Sequence, residues 1–281
     1  MKKNNKQENT QNSLGYTFIS GATGGIGKAF AIACAKKGYS LFLTARNQEK
    51  LELLKQELIN SYDIDVCFFP CDLTSLANRR DLVDYIDKQK IAFNRIINVA
   101  GVDTQKGFLD YTEDKLLFQL RVNSEATIWL THQLLNRRAE KLEIITISSM
   151  SAASPMPYFA LYSATKCTLI NLFTALHYEL ADYGVKVSVI MPGAVPTRPD
   201  IIEDIKGQGI WGKLSMMSAD KIAEKSLKVA RKNKVKYIPG FFNKFLYFII
   251  KLMPKCIVLR FIKNRWKKQT KDAFDGKIND N

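Results

Sequence analysis

The sequence predicts an α/β protein built on a doubly wound parallel sheet. Three observations carry that expectation. Short β-branched or aromatic apolar runs alternate with longer helical patterns along most of the chain. The first run passes at once into a glycine-rich turn and a helix. Polar residues able to do chemistry fall just after the apolar runs, where an open parallel sheet holds its ligands.

Length and composition set the bounds. The chain has 281 residues, 46% of them apolar, which is enough for a sizeable core. Its five cysteines (Cys34, Cys67, Cys71, Cys167, Cys256) are scattered and form no Cys-x-x-Cys. That pattern fits a reducing compartment and argues against a disulfide framework or a metal site. His132 and His177 both fall in amphipathic helical patterns and read as packed or surface residues. Residues 1–13 are polar, lack the apolar core of a signal peptide, and read as a disordered lead-in. The expected organisation is that lead-in, one domain over 14–240, and a C-terminal extension over 241–281.

Taken in order, Tyr16 to Ser20 is the first strand. Gly21-Ala-Thr-Gly-Gly-Ile-Gly27 follows, then a helix from Lys28 to Lys37 closed by Gly38. In a phosphate cradle Gly21 permits the tight turn, Gly25 admits a pyrophosphate to the backbone, and Gly27 lets helix and strand pack closely. The plainer reading is a glycine-rich turn without a ligand. Leu41 to Ala45 is the second strand. An NAD site would carry an acidic residue near its end, but here Thr44-Ala45-Arg46-Asn47 stands. Arg46 either pairs with a 2′-phosphate, which favours NADP, or is a surface arginine opening the helix Gln48 to Asn60.

Asp65 to Phe69 is the third strand. Asp72, beside Leu73, either accepts from an adenine amino group or helps start the helix Ser75 to Lys88. Arg95 to Val99 is the fourth strand, running into Asn98-Val-Ala-Gly101, whose small residues let a cofactor lie against the strand end. Thr112 to Arg138 reads as one long helical region whose apolar pattern is interrupted by Asn123, either as packing or solvent-facing amide or as a tie to an active-site water. Leu142 to Ser148 is the fifth strand, Leu161 to Tyr183 a helix, and Val185 to Met191 the sixth strand, ended by Pro192-Gly193. Arg198 to Ser218 reads as irregular, with Trp211, Met216 and Met217 suiting either an apolar ligand or ordinary packing. Ser218 is expected to cap the helix Ala219 to Lys232, and Val235 to Ile238 is the last strand.

Tyr162 and Lys166 are four residues apart, which puts them on one helical face about a turn from each other. A lysine cation favours the phenolate and lowers a tyrosine pKa, so the pair suits general acid/base work. Alone it reads more plainly as a packed tyrosine and a surface lysine. Ser149 lies just past a strand end, where a loop can aim its hydroxyl at the same point.

Gly21-x-x-x-Gly25-x-Gly27, Asn98-x-Ala100-Gly101, Asn123, Ser149, Tyr162-x-x-x-Lys166 and Pro192-Gly193 occur in this order. Together, over about Tyr16 to Thr197, they resemble the short-chain dehydrogenase/reductase family, and with Thr-Ala-Arg-Asn its NADP-preferring branch. The resemblance implies a single Rossmann-type domain of seven parallel strands, a nicotinamide cofactor and a carbonyl or alcohol substrate. It implies that Tyr162 exchanges a proton with the substrate oxygen, Lys166 tunes the tyrosine and holds the nicotinamide ribose, Ser149 hydrogen-bonds the substrate, and Asn123 helps hold a water chain. Cofactor contacts are implied for Gly21, Thr23, Gly24, Gly25, Ile26, Gly27, Arg46, Asn47, Asp72, Leu73, Asn98, Ala100, Gly101, Tyr162, Lys166, Pro192, Gly193, Val195 and Thr197. Homodimers or homotetramers are common in the family. Two departures stand out: Ser20 where threonine is usual, and Val99 where a second asparagine is usual, which removes a polar support of the central strand.

The charge is uneven. Fifteen Lys/Arg and no Asp/Glu lie between Lys225 and Lys271, so the net +15 belongs to that stretch. After Gly240 the apolar run is too interrupted by lysine to span a bilayer. It reads as two amphipathic helices, with Lys244, Lys251 and Lys255 on one face and Arg260, Lys263 and Lys267 repeating the pattern after Pro254. A cationic, aromatic, acid-free extension suits an anionic membrane surface, or its apolar faces pack on the body or a second subunit. No nucleic-acid motif accompanies the charge. The sequence reads as a cytoplasmic NADP(H)-dependent oxidoreductase, peripheral at the inner face of a membrane, for apolar carbonyl or alcohol substrates of ketoacyl or steroid type. The alternative is a non-catalytic NADP-binding sensor or a membrane- or partner-binding module on the same fold.

Overall fold

The computed structural model describes residues 15–207 and 209–269. The predicted lead-in, 1–13, and the end of the extension, 270–281, lie outside them. The apolar runs form β1 (Tyr16–Ser20), β2 (Leu41–Ala45), β3 (Val66–Pro70), β4 (Phe93–Asn98), β5 (Arg138–Ile147), β6 (Val185–Ile190) and β7 (Lys236–Tyr237). They make one seven-stranded sheet in the order β3-β2-β1-β4-β5-β6-β7, parallel throughout. The fold is a Rossmann-type doubly wound sheet in a single domain. Strand order reverses between β1 and β4, so the crevice opens above those two strand ends.

The helices are α1 (Gly25–Ala35), α2 (Gln48–Ser61), α3 (Leu76–Lys88), α4 (Glu113–Leu120), α5 (Ala126–Leu135), α6 (Ala160–Glu179), α7 (Pro199–Gly207), α8 (Gly209–Ser215), α9 (Ala219–Arg231), α10 (Phe241–Leu252) and α11 (Lys255–Gln269). Side chains alternate across a strand, so the near-continuous apolar runs feed two cores. Ile19, Leu43, Ile97 and Ile145 pack under α1, α2 and α9 through Phe30, Leu51, Leu58 and Leu227. Their neighbours Phe18, Phe42, Ile96 and Ile144 face α3, α5 and α6 through Leu82, Leu130, Leu169 and Phe173. On that second face Phe18, Phe42 and Phe93 meet at 5.8–5.9 Å, one pair stacked and two edge-on. Such pairs each add about 0.5–1.5 kcal/mol beyond the area they bury.

Near the amino ends of the strands, Arg95 of β4 is buried. Its Nε and Nη2 donate to one carboxylate oxygen of Glu143 on β5 at 2.9 and 2.7 Å, and its guanidinium lies 4.3 Å from the Tyr39 ring centroid. Arg79 of α3 is also buried, paired with Glu125 and set over the Trp129 ring.

Several local expectations are corrected. The region 112–138 is not one helix: α4 and α5 are separated by a π-type turn, Arg121–Glu125, and Arg138 already belongs to β5. Asn123 therefore faces inward, fully buried. The stretch after Arg198 is helical, as α7 and α8. Ser218 stands at the N-cap of α9 but its side chain makes no capping bond. Lys255 does not share a face with Lys244 and Lys251, because Met253 and Pro254 end α10 and Lys255 opens α11.

Candidate active site

The glycine loop after β1 has the shape of an anion cradle. Gly21 takes φ +65°, and a Cβ there would stand 2.9 Å from the Cα of Ala100 in the loop after β4. A Cβ on Gly27 would stand 2.1 Å from the Gly21 carbonyl oxygen, so α1 begins as close to the turn as a backbone can. No side chain caps α1 and no acidic residue occupies its first turn, leaving its N–H groups and the positive end of its dipole facing the crevice. These features fit a bound pyrophosphate. A Cβ on Gly25 would meet the Thr197 methyl at 2.6 Å. The structure thus brings Thr197, in the loop after β6, directly against the glycine loop.

The other expected cofactor residues divide. Arg46 is exposed at the carboxyl end of β2, 5.9 Å from the Phe118 ring centroid. Asn47 caps α2 by accepting from the Lys50 N–H at 2.8 Å. Asp72 accepts from the N–H and hydroxyl of Thr74 at 2.9 and 2.8 Å, the plainer of its two readings, while Leu73 turns into the core. Thr23 is half-buried and Ile26 packs on the core. Val195 is buried, and the Pro192 carbonyl accepts from the Met150 N–H at 2.9 Å. The Asn98 side chain is buried and donates to Thr131 and Thr146 at 3.0 and 3.2 Å, bracing β4 against α5 and β5, which leaves its backbone to meet a cofactor. Ser20, in the place of a threonine, still accepts from the N–H groups of Val99 and Ala100 at 3.1 and 3.3 Å.

Around the strand ends the structure gathers Asn123, Ser149, Tyr162 and Lys166. Ser149 follows β5; its hydroxyl accepts from the Ser151 N–H at 3.1 Å and stands near enough to the Tyr162 phenol to act on its ionisation. Lys166 is almost fully buried, with Nζ 5.8 Å from the Tyr162 ring centroid and donating to the Ile147 carbonyl at 3.1 Å. Gly101 makes room for it, since a Cβ there would stand 2.9 Å from Nζ. Asn123 accepts from the Val102 N–H at 2.7 Å and donates to the Val102 carbonyl and the Thr165 hydroxyl at 2.9 and 3.1 Å. It splints the loop after β4 to α6 and keeps one acceptor lone pair on Oδ1.

The electrostatics reverse one expectation. Burial, reinforced by Asp103, pushes the Tyr162 phenol up, although Ser149 and Arg198 act downward. Burial pulls Lys166 down to about 8, partly offset by Asp103. The isolated protein therefore holds Tyr162 protonated at neutral pH, ready to donate, because burial outweighs the groups that act downward.

Sequence reasoning missed other residues here. Asp103 and Arg198 form an ion pair at 3.1 Å that links the loops after β4 and β6 beside Tyr162. Ser148 donates to the Lys166 carbonyl at 2.8 Å, and Ser163 donates to the Ser151 and Ser154 carbonyls at 2.9 and 3.2 Å, fastening α6 to the loop after β5. Phe159 stacks on Tyr162 at 4.5 Å. Gly193 abuts Asn243 of α10, to whose Nδ2 a Cβ would stand at 2.7 Å. Asn243 is buried and donates to the Ser215 and Pro239 carbonyls at 3.0 and 2.8 Å, so α10 braces the loops after β6 and β7. Only the serines carried a sequence signal, as small polar residues crowding a strand end.

A family model for short chain dehydrogenases matches residues 16–202. A human protein named inactive hydroxysteroid dehydrogenase-like protein 1 is 32% identical over 191 residues, covering 65% of this chain and 56% of its own. A very-long-chain 3-oxoacyl-CoA reductase of Eremothecium gossypii is 31% identical over 186 residues, covering 63% of this chain and 53% of its own. The chain thus spans a little over half the length of these curated relatives. Among solved structures, a 7beta-hydroxysteroid dehydrogenase superposes with a TM-score of 0.78 at 22% identity, over 88% of this chain and 96% of that one. A short-chain dehydrogenase from Sphingobium yanoikuyae in complex with NADPH does so with a TM-score of 0.72 at 22% identity, over 95% and 99%. At those identities the likeness speaks for the fold alone.

Proposed function

Since the chain belongs to the short-chain dehydrogenase family, we propose that it is an NADP(H)-dependent oxidoreductase that reduces the carbonyl group of an apolar, lipid-like substrate of ketoacyl or steroid type. The carrying observation is the convergence of Ser149, Tyr162 and Lys166 beside the glycine cradle, with the phenol held protonated. The N-terminus of α1 would hold the pyrophosphate, Arg46 the 2′-phosphate, and Lys166 the nicotinamide ribose. Bound there, a reduced nicotinamide supplies the hydride for the carbonyl carbon. Ser149 holds the carbonyl oxygen, and Tyr162 gives that oxygen its proton as negative charge develops on it. The nearby Lys166 cation stabilises the phenolate that remains. Asn123 keeps Gly101 and α6 in register so that this geometry persists.

Following nicotinamide absorbance over a carbonyl panel with both cofactors tests the reading. Tyr162→Phe should lower turnover by about 10²–10⁴ while leaving NADPH affinity near wild type; retained turnover would sink the mechanism. The inactive human relative motivates a second reading, a non-catalytic NADP-binding protein. Tight NADPH binding without oxidation of NADPH by any carbonyl would select it.

The extension fits a peripheral role at an anionic, inner membrane face of a cytoplasmic protein. Among the described residues no helix is long and apolar enough to cross a membrane. On α10, Asn243, Tyr247 and Ile250 turn to the body, whereas Phe241, Phe245, Phe248 and Leu252 form an exposed ridge one turn apart, with Lys244 and Lys251 along its flank. An apolar ridge edged by cations, in a stretch without acids, complements a negatively charged bilayer. Full-length protein should sediment with phosphatidylserine vesicles and the Phe245→Ser/Phe248→Ser variant should not. Equal sedimentation of both would remove the membrane idea. Light scattering on the same samples would report the expected homodimer or homotetramer.

A further inference from the structure

The C-terminal helix returns to the reaction centre. Along α11 one face turns inward: Val258 is buried, and Leu259, Ile262, Arg265 and Trp266 are half-buried, while Ile257, Arg260, Phe261 and Lys263 stay exposed. At the end of that inner face the Trp266 ring stacks on Phe159, centroids 5.7 Å apart and planes 27° from parallel. Phe159 in turn stacks on Tyr162 at 4.5 Å and 24°. The three rings form one column ending on the phenol, and each keeps part of its surface open.

The backbone is bent to aim this column. Tyr158, just before Phe159, takes φ +65°, a left-handed conformation that costs a side-chain-bearing residue about 1–3 kcal/mol. It places Phe159 at the entry to α6, one turn ahead of Tyr162, where the ring covers the phenol. Strain of this kind persists only where surrounding contacts over-determine it. The Trp266 stack adds to the contacts on Phe159, the next residue, and it comes from more than a hundred residues away.

We propose that Trp266 is a positioning and selectivity residue of this centre. Through Phe159 it holds the Tyr162 ring, and its indole extends the aromatic column into an outer wall that favours flat aryl or polycyclic carbonyl compounds over small aliphatic ones. The proposal rests on the oxidoreductase reading for its kinetics, but not for its binding geometry. An extended π surface offers a planar apolar ligand stacking area that a small ketone cannot use.

The test uses the full chain, 2-acetylnaphthalene and butanone. Trp266→Ala should lower kcat/KM for both ketones, and for the aryl ketone about tenfold more, the size of one lost aromatic pair. Trp266→Phe should recover most of that ratio, and Trp266→Ala should add little to Phe159→Ala. NADPH affinity should stay near wild type in each. An unchanged ketone ratio, or independent multiplying effects of the two substitutions, overturns the proposal. Equilibrium dialysis gives a readout that needs no turnover: 2-acetylnaphthalene should bind the wild type and Trp266→Phe alike and Trp266→Ala about tenfold more weakly. That binding pattern without turnover of any carbonyl would retain the wall and reject the oxidoreductase reading. Turnover with equal binding by the wild type and Trp266→Ala would do the reverse.

Discussion

Two buried cations, one at each end of the sheet, are handled in opposite ways. Near the amino ends of the strands, burial alone would pull Arg95 down, but the Glu143 carboxylate outweighs it and its pKa is raised. At the carboxyl ends, Lys166 is as deeply buried, has one carbonyl partner, and is pulled down to about 8. Arg95 spends its charge on cohesion between β4 and β5. Lys166 keeps its charge available beside Tyr162. Lys166 has no carboxylate in hydrogen-bond contact, only Asp103 acting from farther off, and a cation buried on those terms contributes less to stability than Arg95 does.

Lys166→Met should give the largest effect, a turnover loss of about 10²–10⁴. Its stability should remain within about 1 kcal/mol of wild type or exceed it, because an apolar side chain of similar length removes a poorly paired charge. The pH dependence has a definite sign. Above about 8 the native lysine is neutral while the unfolded one stays protonated up to its ordinary value near 10.4. The unfolded state then binds more protons, so wild-type stability should rise with pH through that window relative to Lys166→Met. Urea midpoints at pH 7.5 and 9.5 measure it; a falling difference would show that Lys166 is stabilised by charge like Arg95.

Glu143→Ala comes next, with a loss of about 3–5 kcal/mol in urea unfolding, since it leaves Arg95 buried and unpaired. A loss below about 1 kcal/mol would mean that the Tyr39 face suffices for Arg95. The smallest effect sharpens the contrast with an exposed cation. Arg46→Ala should leave stability within about 0.5 kcal/mol and weaken NADPH about tenfold or more, with little change for NADH. Calorimetric titration with both cofactors measures this, and equal weakening of both would remove Arg46 from the 2′-phosphate.

What the sequence made legible was local. The strand, glycine loop and α1 sit within twenty residues, and Tyr162 and Lys166 within one turn, so spacing alone placed them. The misreadings came from features that spacing does not carry. A π-type turn adds one residue to a helical pattern, which hardly disturbs its apolar period yet rotates Asn123 inward. The stretch after Arg198 read as irregular, but Pro199 opens α7, and Gly207 and Gly209 stand where α7 ends and α8 begins. The commitment of the Asn98 side chain was equally invisible in the local sequence. Its partners Thr131 and Thr146 arrive from other elements and claim it. The stack from Tyr162 to Trp266 had no local pattern at all.

The contact between Gly193 and Asn243 also sets a sequence of events in time. Chains are synthesised at about 5–20 residues per second, so the fifty residues between the two take roughly 3–10 s to emerge. During that interval the glycine loop, β4 and α6 can already be assembled, while the loop after β6 still lacks its brace. Until α10 arrives Gly193 has no Asn243 against it, so the loop after β6 waits longest for its brace.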